Sequence, residues 1–170
     1  MNGECQELLM ADVIRIDIMP TEALKVSIPY NVPNIAEAQV TMANGSELTN
    51  ARLFADSLLS LNLAGDALAD AEMQAGFTYK PTPKRSSAGV VYTHSPQVPI
   101  ESGFQTIRAK ERALQDSEFH IVFTTVSGDR YLVYGVTNTC QFSIDDQIGE
   151  SAKMTIKPTV QSMSGFVKIA

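Results

Sequence analysis

Residues 119–169, FHIVFTTVSGDRYLVYGVTNTCQFSIDDQIGESAKMTIKPTVQSMSGFVKI, alternate apolar and polar side chains in short runs separated by turn-forming residues. A period of two marks a strand, because successive side chains point to opposite faces. Phe119, Ile121 and Phe123 fall on one side of the first run, and Ser127-Gly128-Asp129 turns the chain back into RYLVYGV. CQFSI, SAKMTIKPTV and GFVKIA then continue a meander, with one turn at Asp145, Asp146 and Gly149 and the next from Ser162 to Gly165. His120 points away from Phe119 and Ile121, which predicts a surface or rim position.

Upstream, ESGFQTIRAKERALQDSEF predicts the one clear helix. Ser102 and Gln105 have capping-box spacing, and Phe104, Ile107 and Leu114, with the stem of Glu111, form a narrow apolar stripe. Lys110 and Arg112 suit the negative C-terminal end, and Asp116 with Ser117 supplies the exit. Before it, KPTPKRSSAG at 80–89 combines prolines and serines with a local basic cluster and predicts a long exposed loop. His94, ahead of Pro96, reads as a loop residue as well.

In the N-terminal half, DVIRIDIM sets Val13, Arg15 and Asp17 against Ile14, Ile16 and Ile18, a strand with one wet face. ALKVSIPY follows the turn chemistry of Pro20, Thr21 and Glu22 and predicts a first hairpin, closed or confined to an edge by Pro29 and Pro33. Asn44-Gly45 predicts a second hairpin, since this dipeptide readily adopts the positive dihedrals of a tight turn. Leu59, Leu61 and Leu63 extend a strand as far as Ala64, with a turn at Gly65 and Asp66. About ten strands and one helix make the fold class mainly β: a β-sandwich or partly closed antiparallel barrel with one flanking α-helix.

With 170 residues, 44% hydrophobic and 19% charged, the chain suits one domain that buries a core without disulfides or metals. That domain spans 10–170; residues 1–9 fit no element and are expected to be extended or disordered, with Met10 a second possible start. No run approaches the roughly 18 to 20 apolar residues that cross a bilayer, and no basic leader precedes an apolar stretch, so neither a membrane span nor export is expected. Cys5 and Cys140 have no metal-type spacing and fit a reduced cytoplasmic setting. With 19 acidic and 13 basic side chains the net charge is -6, which argues against gripping a phosphate backbone.

Little in the pattern suggests catalysis. Asp145, Asp146 and Glu150 lack the ligand spacing of a calcium loop; in QSMSGF, Gln161 stands where a nucleophile elbow needs glycine; Gly128 and Gly135 lack the strand-to-helix crossover of a phosphate loop. No cofactor, metal or catalytic residue is assigned, and the chain is read as non-enzymatic. Lys80, Lys84 and Arg85 form the one local basic cluster, and their expected task is contact with an acidic neighbouring subunit.

An acidic chain of this size, with N-terminal strands, the polar KPTPKRSSAG segment, the helix GFQTIRAKERALQD and a C-terminal run ending in SMSGFVKI, resembles the tail-tube-like structural proteins of long-tailed bacteriophages. The resemblance implies a β-sandwich with a flanking helix that self-associates into hexameric rings, stacks through loops and termini, and contacts other phage tail proteins. It implies a virion protein assembled in the host cytoplasm, with DNA passing through the ring unbound; distal tail, terminator and connector proteins of the same fold are alternatives. A non-enzymatic β-sandwich binding module is a further alternative, in which Tyr79, Tyr92, Tyr131 and Tyr134 would form an aromatic patch, although alternation puts Tyr131 and Tyr134 on opposite faces.

Overall fold

At the centre of the molecule lie two strands whose side chains are buried on both faces, Val13–Pro20 (β1) and Phe119–Thr125 (β9). The computed structural model describes residues 13–27, 37–63, 68–74, 82–86, 89–134, 139–147, 153–162 and 167–169. Thirteen strands lie among them. The remaining ones are Leu24–Ser27 (β2), Glu37–Met42 (β3), Leu59–Asn62 (β4), Ala71–Met73 (β5), Thr82–Ser86 (β6), Gly89–His94 (β7), Val98–Ser102 (β8), Arg130–Val133 (β10), Gln141–Gln147 (β11), Lys153–Ser162 (β12) and Val167–Ile169 (β13). Two α-helices, Asn50–Asp56 (α1) and Phe104–Gln115 (α2), complete the fold. The protein is mainly β, a curled sheet that forms a sandwich-like half-barrel.

The sheet runs β2-β3-β13-β10-β9-β1-β4-β5-β8-β12, with β11 also paired to β12 and the β7-β6 hairpin attached at one end of β12. Met154, Thr155 and Ile156 pair with β8 and with β11, so these two strands flank β12 on opposite sides. Most pairs are antiparallel, but β4 with β5 and β13 with β3 are parallel. β7 and β8 behave as one strand against β12, since the step from His94 to Val98 matches that from Val160 to Ile156. The same register sets Pro96 opposite Pro158, and neither has an N–H to donate, so the ladder lapses there. Ser95 and Thr159 bridge the gap through their hydroxyls at 2.9 Å.

Each face of the central strands carries its own core. Phe119, Ile121 and Phe123 pack with Ile16, Ile18, Leu59, Leu61, Val98 and Ile156 under the curl of β8 and β12. On the opposite face Val122 and Leu132 meet Met19, Val40, Met42 and Leu53, the last supplied by α1. α2 closes the first core with the predicted stripe, Ile107 and Leu114 buried and Phe104 packed beside them. Its start differs from the capping box: Ser102 still belongs to β8, and Gly103 is the cap residue, with φ 91° and no side-chain cap bond. A Cβ there would lie 2.6 Å from Ala71 Cβ, so glycine is required by close approach as well as by dihedral.

Several connections depart from the sequence reading. β1 and β2 do not form a hairpin; a 3-10 turn at Thr21–Ala23 releases β2 to pair with β3, while β1 pairs with β4 and β9. Gly45 does turn the chain, with φ 88° and its N–H on Met42 O at 2.8 Å, but the turn leads into α1. Thr49 starts that helix by accepting from the Arg52 N–H at 3.2 Å, and the helix-favouring residues after it outweigh the expected strand. Within the stretch expected to be an exposed loop at 80–89, Thr82–Ser86 is instead the strand β6, paired antiparallel with β7. Asp145 and Asp146 lie within β11, not in a turn, and Ser162 lies within β12. β13 leaves the meander to pair with β10 and β3. Residues 1–12, including the expected N-terminal extension, lie outside the described residues, as do Pro29, Pro33, Gly65, Asp66, Tyr79, Lys80, Gly135, Gly149 and residues 163–165.

Candidate functional site: open sheet borders and a buried charge ladder

The curl leaves the sheet unclosed among the described residues, with β2 at one end of the main path and β11 beyond β12 at the other. Strand phase identifies what each border presents. Gln161 of β12 donates its N–H to Thr139 Oγ1 just ahead of β11, at 3.2 Å, so alternate β12 residues from Gln161 face β11. Their partners Gln141, Ser143 and Asp145 bond inward, which turns the backbone groups of Phe142, Ile144 and Asp146 toward the open side. On β2, Ala43 donates its N–H to Ala23 O at 2.9 Å, which makes Lys25 and Ser27 the inward-bonded residues. Leu24 and Val26 therefore direct their backbone groups outward.

β6 is a border of another kind. Thr82, Pro83, Lys84 and Arg85 are all exposed, and the strand pairs only with β7 among the described residues. A proline without an N–H, followed by two cations, is the composition with which an edge strand resists a further strand. Lys84 and Arg85 can thus engage a neighbour through their side chains, not through the backbone. The structure sets these two predicted contact residues next to each other on the edge strand β6, where alternation turns their side chains to opposite faces, while Lys80 falls outside the described residues.

Sequence reasoning missed a buried polar cluster on β1. The face of β1 expected to be wet is buried: Arg15 is 1% and Asp17 0% exposed. Arg15 grips Asp17 with two bonds, Nε to Oδ2 at 2.9 Å and Nη2 to Oδ1 at 3.0 Å, and Ser60 Oγ donates to Oδ1 at 2.6 Å. Ser57 Oγ reaches Ser60 Oγ at 2.8 Å. Arg15 lies opposite Thr124, itself opposite Arg130, so one polar row crosses three strands. Arg130 donates to Thr124 Oγ1 at 2.7 Å and to Asn50 Oδ1 at 2.9 Å, tying the sheet to the start of α1. Burial pushes the Asp17 carboxyl up and the Arg130 guanidinium down from their ordinary values, while their opposite charges oppose both shifts. The strand itself carried no signal of this burial, since charged residues alternating with isoleucines are equally the pattern of a strand with one wet face.

Both histidines lie deeper than expected. His94 ends β7 fully buried, and His120 is 4% exposed with its ring stacked on Tyr134 at 4.6 Å. His120 is covered by the second core, on a strand face read as a surface or rim, and His94, read as a loop residue, is instead drawn in by the pairing of β7 with β12. Burial lowers the His120 pKa from 6.5 to about 4. The native state then binds its proton later than the unfolded chain does, so stability is full above pH 6.5 and falls as pH drops toward 4. Replacing His120 with Gln should remove up to about 3 kcal/mol of that dependence, at 1.36 kcal/mol per pKa unit. Urea unfolding of both proteins at pH 7.5 and 4.5 measures the difference; parallel pH dependence would show that His120 does not titrate this way.

A cleft of about 670 Å³ opens beside the charge ladder, lined in part by Gln39, Thr41, Glu47, Asp129, Arg130 and Ile169. Among the described residues no group of three or more His, Cys, Asp or Glu is arranged to hold a metal ion. Cys140 is half-buried; its Sγ accepts the Phe119 N–H at 3.3 Å and donates to Phe119 O at 3.4 Å, fastening the approach to β11 onto β9. Tyr131 packs against the first core while Tyr134 is exposed, so these two tyrosines form no common patch. No helix among the described residues is long and apolar enough to cross a membrane. Comparison with known protein families, curated proteins and solved structures finds no match for the chain.

Proposed function

We propose that the protein is a structural subunit that assembles with copies of itself, as the resemblance to phage tail-tube proteins implies, into rings that surround a DNA conduit. The observation that carries the reading is the pair of sheet borders, β2 and β11, that have no outer partner among the described residues. Unpaired backbone groups at a sheet edge are an aggregation liability unless another strand covers them. Sister molecules supply that cover, and head-to-tail contacts become finite when rotational symmetry closes the ring. Six copies per ring, a place in a virion tail and contact with other tail proteins belong to the same proposal. A net charge of -6 suits a lumen through which DNA slides without being held.

A stable interface needs on the order of 1,000 Å², more than one pair of short strands buries. The basic β6-β7 hairpin is suited to add contact, between rings or beside a neighbour with surplus acid. Replacing Lys84 and Arg85 together with Glu should reduce assembly by about tenfold while leaving the thermal midpoint within about 2 °C, because exposed charges contribute little to folding. Light scattering coupled to size-exclusion chromatography, followed by negative-stain microscopy, tests the whole reading. Rings or tubes of the unaltered chain support it, and a monomer at every concentration overturns it.

A further inference from the structure

We infer that the cleft beside the charge ladder is a binding site for a small zwitterion, a carboxylate and an amine joined by a short apolar chain. The site lies within one chain and stands apart from self-assembly. Its first element is a cation without a counter-charge of its own. Arg15, Asp17 and Arg130 set one carboxylate against two guanidiniums, and Arg15 bonds both oxygens of that carboxylate. Arg130, half-buried, is left with the uncharged partners Thr124 Oγ1 and Asn50 Oδ1, and it makes no ion pair among the described residues. Those bonds leave most of its N–H groups for a ligand. A guanidinium so placed gains from an anion, and a carboxylate matches its planar fork.

The remaining lining fixes what the carboxylate is attached to. Val40 and Ile169 belong to the second core, Leu48 packs against it, and all three reach the cleft. They offer a surface for a few methylenes. Glu47 and Asp129 line the same cleft, and neither forms an ion pair with Arg130. Two carboxylates set apart from one guanidinium repel a polyanion such as a phosphate ester and attract a cationic group on the same ligand. At about 670 Å³ the cleft has the size of a small-molecule site.

Titrating the folded chain with ε-aminocaproate, caproate and hexylamine tests the assignment, with binding read from nuclear magnetic resonance shifts of backbone amides and of the Arg130 Nε–H. The aminocaproate should bind about tenfold more tightly than hexylamine, which lacks the charge-assisted bond to Arg130, and about fivefold more tightly than caproate, which lacks the amine. Shifts should centre on Thr41, Leu48, Asp129 and Arg130. Glu47→Gln with Asp129→Asn in the same chain should reduce aminocaproate to the affinity of caproate. That variant should stay folded, because Glu47 is exposed and an Asn oxygen can still accept from Ser127 Oγ. No shift with any probe, equal binding of all three, shifts that avoid the cleft, or an advantage over caproate that survives the double substitution overturns the assignment.

Discussion

Replacing Asp17 with Ala will destabilise the protein by about 3 to 5 kcal/mol, the cost of leaving a buried charge without its counter-charge. Arg15 is held by two bonds from one carboxylate in a region with almost no solvent, and Ser60 completes the group from the adjacent strand. Water cannot replace that carboxylate without opening the sheet between β1 and β4. The informative control is a double substitution, Arg15→Met with Asp17→Leu, which removes both desolvation penalties. Paired replacements of this kind are often neutral or stabilising by about 1 to 4 kcal/mol, so the double variant should recover most of the loss or exceed the parent. Urea denaturation gives both values. An Asp17→Ala chain with unchanged stability would show that the carboxylate does not balance Arg15.

The second large effect is expected at Phe123, fully buried between β1 and β10 in register with Ile16 and Tyr131. Its truncation to Ala removes an aromatic ring from a core shared with β8, β12 and α2, at a cost of about 3 to 5 kcal/mol in transfer energy and cavity formation. Calorimetry or denaturant unfolding measures the loss. A melting temperature equal to that of the parent would contradict the assignment of Phe123 to the core.

Period-two patterning made the C-terminal strands legible, and the stripe of Phe104, Ile107 and Leu114 made α2 legible, because both signals are local. Partner choice is not local. β1 and β2 are separated by a three-residue 3-10 turn and still pair elsewhere, since the alternatives β4 and β9 cover β1 on both sides. Arg15 and Asp17 looked solvated because alternation alone identifies two faces and cannot tell that a second core covers the polar one. His120 was misplaced for the same reason. The turn at Asn44-Gly45 was legible, but its chemistry does not specify whether a strand or a helix follows. At the site, the basic pair Lys84 and Arg85 was found by composition, whereas the borders β2 and β11 required the strand order.

Amide hydrogen exchange read at Leu24, Val26, Phe142, Ile144 and Asp146, compared between dilute and concentrated protein, measures whether sister molecules complete the sheet. These amides should exchange rapidly when the chain is dilute and become strongly protected as assemblies form, in step with the rise in mass. Assemblies in which all five stay unprotected, or protection already complete in a lone molecule, would contradict edge completion as the basis of self-association.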